Sequence, residues 1–180
     1  AIYSDDHGAT WKVSSEVLAG ESQIAECGED RLTVNIRRSA DRYSSFSKDG
    51  GQTWTAAAKD GGLPSFESGC HASVCSGGGN MVFYCGPKGG AKSSTHDNRY
   101  ELMLFRSPTS TQGWTRSQLL YDLAAGYPDM TLLGDGRLAI VFEAGPEKGF
   151  ITRSSRPAGW MRLDVLILPG EVADYGYWFK

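Results

Sequence analysis

The feature of the sequence that most constrains its fold is a short motif that occurs twice in well-preserved form. "YSDDHGATWKV" and "FSKDGGQTWTA" share Ser-x-Asp-x-Gly-x-Thr-Trp, and their tryptophans, Trp11 and Trp54, lie 43 residues apart. Two weaker copies, "RSPTSTQGWTR" and "RSSRPAGWMR", place Trp114 and Trp160 at further intervals of 60 and 46 residues. A recurrence of this length indicates a chain built from structural repeats.

The segments between these tryptophans predict short β-strands in a recurring order. The 180 residues include 23 glycines, and the apolar stretches are short with a period of two, which indicates an all-β protein. Three strands are predicted before each later tryptophan and a fourth after it, the first three spanning residues 23–26, 31–37 and 43–47, then 70–75, 81–85 and 101–106, then 129–133, 138–142 and 150–153. This order is typical of a β-propeller. We therefore predict that residues 1–180 form part of one β-propeller domain, with four-stranded antiparallel blades that end near the four tryptophans.

The repeated motif itself predicts a turn that holds the fold. Its Ser and Asp side chains bond backbone groups across a tight turn, and its Gly supplies a positive φ. We therefore interpret Asp6 and Asp49 as turn residues rather than as calcium ligands or catalytic acids. The tryptophan that follows is expected to pack its apolar surface between neighbouring blades.

Composition excludes several classes of partner and cofactor. The net charge is −3, from 18 basic and 21 acidic residues without a basic block, which argues against nucleic acid or an anionic membrane as the main partner. No run of 18 apolar residues is present, so no membrane span is predicted. The cysteines lack C-x-x-C spacing, so we predict neither zinc nor any other metal or cofactor. Disulfides stay open, except that Cys70 and Cys75 would face opposite sides of one strand and should not pair.

Three segments carry polar residues that a set of blades does not by itself require. "ESQIAECGEDRLTVNIRR" opens on Glu21 and has Arg37 near its end; "DNRYELMLFRS" contains Arg99; "GYPDMTLLGDGRLAIVFEAG" contains Tyr127 and Glu143. In this order, with the motif turns between them, the segments resemble the sialidases of the Asp-box, or BNR-repeat, family. The resemblance covers nearly the whole chain. It implies a six-bladed propeller of which about half is present.

The resemblance implies an exo-α-sialidase that hydrolyses terminal α-linked sialic acid with retention through a tyrosyl intermediate. Tyr127 would be the nucleophile, because a neutral phenol approaches the anionic sugar without charge repulsion. Glu21 would be the base that takes the phenolic proton. Arg37 and Arg99 would bind the carboxylate of the sugar through paired, charge-assisted hydrogen bonds. Glu143 would hold the first arginine of the family's three-arginine cluster.

Competing residues are weaker candidates for these roles. Arg38 competes with Arg37, but strand alternation directs it to the other face. Arg106 competes with Arg99, but it adjoins the degenerate third motif. Glu26 is interpreted as a strand-end or turn residue. No role is assigned to the histidines, which form no recognisable pair: His7, His71 and His96.

The sequence also departs from the family pattern. Pro128 follows Tyr127 where the family more often has a small hydroxyl residue, and the proline is expected to fix the local backbone and shift the phenol. Asp30 occupies a turn position that usually holds Gly. The family's first arginine and its catalytic Asp belong to an N-terminal half that this chain does not contain. We therefore expect a missing N-terminal half, in the same protein or a companion chain, without which this chain should not turn over a sialylated glycan.

Three other functions stay open at the level of sequence. A trans-sialidase would pass the sugar to another sugar instead of to water. A non-catalytic Asp-box propeller would bind glycans or proteins. A propeller glycosidase for another sugar would not need the arginines. The resemblance favours a secreted or lysosomal location, while linkage preference and oligomeric state are not encoded in these motifs.

Overall fold

The structure is a computed structural model that describes residues 1–67, 69–90, 96–108, 113–145, 150–151 and 162–170. Within these residues every regular element is a β-strand. The strands are β1 (Ile2–Tyr3), β2 (Lys12–Val13), β3 (Glu21–Glu26), β4 (Leu32–Arg38), β5 (Asp41–Ser47), β6 (Ala58–Lys59), β7 (Ser73–Gly78), β8 (Met81–Pro87), β9 (His96–Asp97), β10 (Tyr100–Ser107), β11 (Arg116–Leu132), β12 (Leu138–Ala144), β13 (Phe150–Ile151) and β14 (Arg162–Leu168). The all-β class predicted from the sequence is confirmed.

The first large sheet is a four-stranded antiparallel sheet in the order β3-β4-β5-β6. β3 and β4 pair over six residues, from Glu21 opposite Arg37 to Glu26 opposite Leu32. The turn between them contains Asp30 at φ 52°, a left-handed conformation that non-glycine residues adopt at some cost and that Asp tolerates better than most. The three strands predicted before Trp54 are therefore present, and β6 follows that tryptophan.

The second large sheet has six strands in the order β14-β12-β11-β10-β8-β7. Its central strand, β11, is 17 residues long. The first half of β11 pairs with β10 from Arg116 to Ala124, and the second half pairs with β12 from Ala125 to Leu132. The sequence predicted two separate strands here. The structure joins them into one strand that ends one four-stranded unit and begins the next.

The last predicted unit differs from the structure in its third strand. The segment predicted at residues 150–153 contributes β13, whose described residues pair with β9. β14 takes the position beside β12 and pairs with it over seven residues. Trp160 and its motif lie outside the described residues.

The two well-preserved motifs form the same turn, bond for bond. In the second, Ser47 Oγ donates to Asp49 Oδ1 and accepts from the Gly51 amide, and Asp49 accepts from Thr53 Nα and Oγ1. The first motif repeats these bonds with Ser4, Asp6, Gly8 and Thr10. The prediction that the Asp is a turn residue is therefore confirmed.

The tryptophans do not all behave as predicted. Trp11 and Trp54 each donate from the indole nitrogen to the glycine carbonyl of their own turn, and Trp11 is 60% exposed. Trp11 therefore closes its turn instead of packing between sheets. Trp114 does pack as predicted, against a cluster that joins the two large sheets and includes Ala25 and Tyr84.

Both faces of β4 and β8 are buried, which explains a second difference from the prediction. Along β8, Val82 and Tyr84 belong to the cluster between the sheets, whereas Phe83 and Cys85 belong to the core inside the six-stranded sheet. In β4, Thr33 and Asn35 are buried as well, although alternation predicted a polar face. All four cysteines are free thiols, and Cys70 precedes β7 instead of lying in it.

Removal of the motif serine should destabilise the buried copy of the turn more than the exposed one. Ser47 is 2% exposed, so Ser47→Ala leaves the Gly51 amide without its partner away from water. We expect a loss of about 1–2 kcal/mol in the free energy of unfolding by urea. Ser4→Ala removes the same bonds from a solvent-exposed turn and should cost less than about 0.5 kcal/mol. Equal losses would contradict the assignment of the second turn to the core.

The Asp49 carboxylate should make stability depend on pH in acid. Hydrogen bonds from the Thr53 hydroxyl, the Thr53 amide and Ser47 lower the pKa of Asp49 from 3.8 to about 2. The charged form therefore stabilises the fold fully above about pH 4, and this contribution is lost as the pH falls through about 2. The urea midpoint of the wild type should exceed that of Asp49→Asn by a constant amount near neutral pH, and the gap should shrink in acid. A gap unchanged down to about pH 2 would refute the assignment.

Candidate functional site

One carboxylate oxygen links the strands β3, β7 and β11 through hydrogen bonds. Asp129 Oδ1, on β11, accepts from Gln23 Nε2 of β3 at 3.0 Å, from Ser73 Oγ of β7 at 3.2 Å and from the amide of Met130 at 2.9 Å. Gln23 Oε1 also accepts from the amide of Val74 at 3.0 Å. We call Gln23, Ser73 and Asp129 the axial knot. It fixes the register of the three strands relative to one another.

A second set of side chains lies close to the axial knot. Glu21 lies two residues before Gln23, His71 two residues before Ser73, and Tyr127 two residues before Asp129. Glu21 shares a face of β3 with Gln23, because side chains two apart in a strand point the same way. His71 precedes β7 and Tyr127 lies at a β-bulge, so their positions beside Glu21 follow from direct contacts. His71 Nδ1 is 3.9 Å from Glu21 Oε2, and the His71 and Tyr127 rings stack with centroids 6.1 Å apart at 15°.

Arg37 contacts both of the residues predicted to carry the chemistry. It lies opposite Glu21 in the β3–β4 ladder, and its Nη1 donates to Glu21 Oε2 at 2.7 Å. The Tyr127 side chain lies close enough to interact with the same guanidinium. Burial alone would lower the pKa of Arg37, but the interactions with Glu21 and Tyr127 outweigh burial and raise it. The structure therefore brings Glu21, Arg37 and Tyr127 into one cluster.

Tyr127 occupies an irregular position in β11. The ladder with β12 shifts register between Gly126 and Asp129, and Tyr127 lies in this bulge at φ 42°. Pro128, which is fully buried, has no N–H to give to the ladder, so a bulge is the place where a strand accommodates it. The Tyr127 amide approaches Cys70 Sγ at 3.4 Å, and the side chain is 41% exposed. The phenol is thus held by its backbone and open to solvent.

Arg99 approaches Tyr127 from another element. Its Cζ lies 5.2 Å from the centroid of the tyrosine ring, a cation–π distance, and its Nε donates to the Gly69 carbonyl at 3.1 Å. Glu143 is opposite Gly126 in the β11–β12 ladder. A Cβ at Gly126 would lie 3.6 Å from Glu143 Oε2 and 3.9 Å from Arg99 Cδ, so both side chains flank this glycine.

Sequence reasoning missed the segment 69–71, which supports the site. Gly69 accepts from Arg99, the Cys70 carbonyl accepts from buried Arg42, and His71 lies beside Tyr127. The signal that could have found it is a tripeptide that recurs around the axial knot: "ESQ", "HAS" and "YPD" each end on a residue of the knot and have another polar or aromatic residue two positions before it.

The competing residues lie elsewhere. Arg38 is exposed at the end of β4, and Arg106 is buried within β10 at 3% exposure. Glu26 is exposed at the end of β3, and His7 lies in the first motif turn at φ 56°.

Among the described side chains, no three or more His, Cys, Asp or Glu converge so as to hold a metal ion. Nor does any described stretch form a helix that could traverse a bilayer.

The chain is similar to known proteins over most of its length. Residues 1–140 match the BNR repeat-like domain family. A sialidase of Micromonospora viridifaciens is 27% identical over 158 residues, which make up 81% of this chain and 23% of that protein. The NanB sialidase of Streptococcus pneumoniae superimposes with a TM-score of 0.70 at 20% identity, covering 93% of this chain and 26% of that one. A leech intramolecular trans-sialidase superimposes with a TM-score of 0.64 at 20% identity, covering 92% and 26%.

The sheets and these matches together define a β-propeller architecture of the BNR-repeat kind, present in part. Because the family match extends over residues 1–140, the chain belongs to the BNR repeat-like domain family. The resemblance to sialidases that the motifs indicated is also confirmed. The chain spans about a quarter of the length of these relatives.

Gly69→Ala should damage the site far more than an otherwise equivalent substitution. Gly69 and Gly79 have nearly the same backbone, at φ 55° and 56°. A Cβ at Gly69 would collide with the Ser39 carbonyl, whereas a Cβ at Gly79 would meet nothing within 4 Å. Gly79→Ala should cost about 1 kcal/mol of unfolding free energy, and Gly69→Ala about 3 kcal/mol or more. Urea unfolding measures both, and similar costs would show that segment 69–71 is not held tightly.

Proposed function

We propose that this chain forms part of the active site of a sialidase that releases terminal α-linked sialic acid with retention. The observation that carries the proposal is the contact of one guanidinium, that of Arg37, with both the Glu21 carboxylate and the Tyr127 phenol. An arginine alone is a common surface residue, and so is a tyrosine. An ion-paired arginine that also contacts an exposed phenol is suited to an anionic ligand and a phenolic nucleophile.

Substrate binding would change the partners of Arg37. A sialic acid carries a carboxylate on its anomeric carbon, and Arg37 and Arg99 would both bind that group. When the substrate carboxylate takes the place of Glu21 on Arg37, Glu21 loses its counter-ion and becomes a stronger base. Because Arg37 also contacts the phenol, a carboxylate released there lies near the proton it must remove. Ligand binding would thus activate the base.

The first chemical step would form a covalent sialyl–tyrosine. Tyr127 Oη attacks the anomeric carbon as its proton passes to Glu21, and the bond from that carbon to the leaving oxygen breaks. An ordinary phenol has a pKa of about 10, so proton removal is needed at neutral pH. Water then attacks the anomeric carbon from the side that the leaving group vacated and loses a proton to the conjugate base of the acid that protonated the leaving oxygen. The bond to Tyr127 Oη breaks as Glu21 returns its proton to the phenol. Two inversions at the anomeric carbon leave its configuration unchanged.

The acid that protonates the leaving oxygen and the third arginine would come from an upstream part of the protein. An exposed apolar face supports this part of the proposal. Leu163, Val165 and Ile167 alternate along one face of β14 and are 72%, 63% and 47% exposed. Single exposed apolar residues are common, but a contiguous row on an edge strand normally packs against another element. We propose that the upstream blades cover it, and that Glu143 positions the arginine they supply.

Tyr127→Phe should abolish turnover while leaving the fold intact. In the complete protein, acting on a sialoside with a chromogenic leaving group, we expect kcat/KM to fall at least about 10³-fold, since no oxygen remains to attack. Glu21→Gln should lower kcat about 10²-fold through loss of the base. Arg37→Ala and Arg99→Ala should act mainly on KM. Mass spectrometry of a quenched reaction should find one sialyl group on the peptide that contains Tyr127.

Tyr121→Phe is the matched control. Tyr121 lies on the same strand, and its hydroxyl donates to the Gly145 carbonyl at 2.6 Å, so the variant loses one hydrogen bond but no chemistry. Turnover by Tyr127→Phe equal to that of Tyr121→Phe would refute the tyrosyl mechanism. Glycan binding by a wild-type protein that turns over no sialoside would indicate a non-catalytic propeller instead. Transfer of the sugar to an added glycan would identify a trans-sialidase.

A further inference from the structure

His71 has no role in the mechanism proposed above, yet it contacts both members of the reacting pair. Its Nδ1 lies 3.9 Å from Glu21 Oε2, and its ring stacks almost parallel to the Tyr127 ring, with centroids 6.1 Å apart. Its side chain is only 21% exposed, so the surrounding residues restrict the orientation of the ring. It also lies two positions before Ser73, which donates to Asp129 in the axial knot.

We propose that His71 is a positioning residue that holds the Tyr127 phenol beside Glu21, and that its protonation sets the acid limit of activity. The proposal rests on the sialidase reaction described above. The flat imidazole limits rotation of the phenol by stacking. When the imidazole takes a proton from solvent, it becomes a cation next to Glu21 and pairs with that carboxylate. Once the substrate has displaced Glu21 from Arg37, a carboxylate that pairs with the His71 imidazolium is a weaker base than an unpaired one, so attack by the phenol slows.

The charges around His71 agree with an imidazole that is neutral near pH 7 and becomes charged only in acid. Burial lowers the pKa of His71 below 6.5, Arg42 and Arg37 lower it further, and the Glu21 and Asp129 carboxylates oppose these effects without reversing them. The imidazole is therefore neutral at pH 7 and does not compete for Glu21. Protonation requires a medium more acidic than pH 7, and the two carboxylates favour the cation once it forms.

A pair of variants separates stacking from charge. His71→Phe keeps a flat ring but cannot be protonated, and His71→Ala removes both properties. In the complete protein with a chromogenic sialoside, His71→Phe should keep kcat within about threefold at neutral pH. The acid limb of its pH–rate profile should move down by about one pH unit, toward the range in which a carboxylate titrates. His71→Ala should lower kcat about tenfold, since the phenol is no longer held.

His7→Asn is the matched control, because it removes an imidazole that lies in the first motif turn and Asn tolerates the left-handed backbone at φ 56°. Its profile should equal that of the wild type. An acid limb that is the same in His71→Phe and in the wild type would overturn the charge part of the proposal. Full kcat in His71→Ala would overturn the positioning part.

A second measurement decides the case in which no sialoside is turned over. NMR titration of the His71 imidazole in this chain reads its coupling to Glu21 without any reaction. Glu21→Gln removes the anion that favours the imidazolium, so the midpoint should fall by about half a pH unit or more. An unchanged midpoint would refute the His71–Glu21 interaction. A lowered midpoint in a protein without sialidase activity would overturn the proposed reaction, and with it the role of His71 in that reaction, while leaving the pairing intact.

Discussion

The interaction on which the site depends is the axial knot at Asp129. Three strands that belong to different parts of the chain have no backbone ladder in common at this place, so their relative register must come from side chains. Gln23 and Ser73 supply it by donating to the same carboxylate oxygen. Strand register has a period of two, and a slip by one residue would turn every side chain to the other face. Glu21 and Tyr127 would then no longer meet.

The unusual backbone conformation of Tyr127 lies close to the point at which β11 changes its pairing partner. The strand pairs first with β10 and then with β12; the change of partner falls between Ala124 and Ala125, and the Gly126–Asp129 bulge follows it directly. A positive φ is unfavourable for a tyrosine, and such conformations persist only where the surroundings enforce them. Buried Pro128 on one side and the Cys70 thiol on the other provide that enforcement. The expectation that the proline fixes the backbone at the phenol agrees with this arrangement.

The sequence predicted the regular parts of this structure and missed the parts that depend on tertiary pairing. Period-two patterns located β4, β8 and β12 because a buried strand carries its apolar residues within its own short sequence. The continuity of β11 was missed because a proline such as Pro128 usually indicates the end of a strand. The pairing of β14 with β12 was missed because pairing partners depend on the tertiary structure. Glu21, Arg37, Arg99 and Tyr127 were predicted by resemblance, and the structure brings them together, although their roles stay predictions. His71 was missed because its neighbours are 50 or more residues away in the chain.

The charge balance of the cluster gives a physical reason for a tyrosine at position 127. Without ligand, Glu21 neutralises Arg37 at 2.7 Å, so Arg99 is the guanidinium that would first attract the proposed anionic sugar, before the sugar displaces Glu21 from Arg37. A carboxylate in place of the phenol would add an anion where the substrate carboxylate must bind. Two like charges about 4 Å apart repel by about 4 kcal/mol at an effective dielectric constant of about 20. A neutral phenol avoids this repulsion and becomes anionic only as it forms the bond. In the proposed reaction, therefore, the negative charge of the substrate requires a nucleophile that is neutral until it attacks.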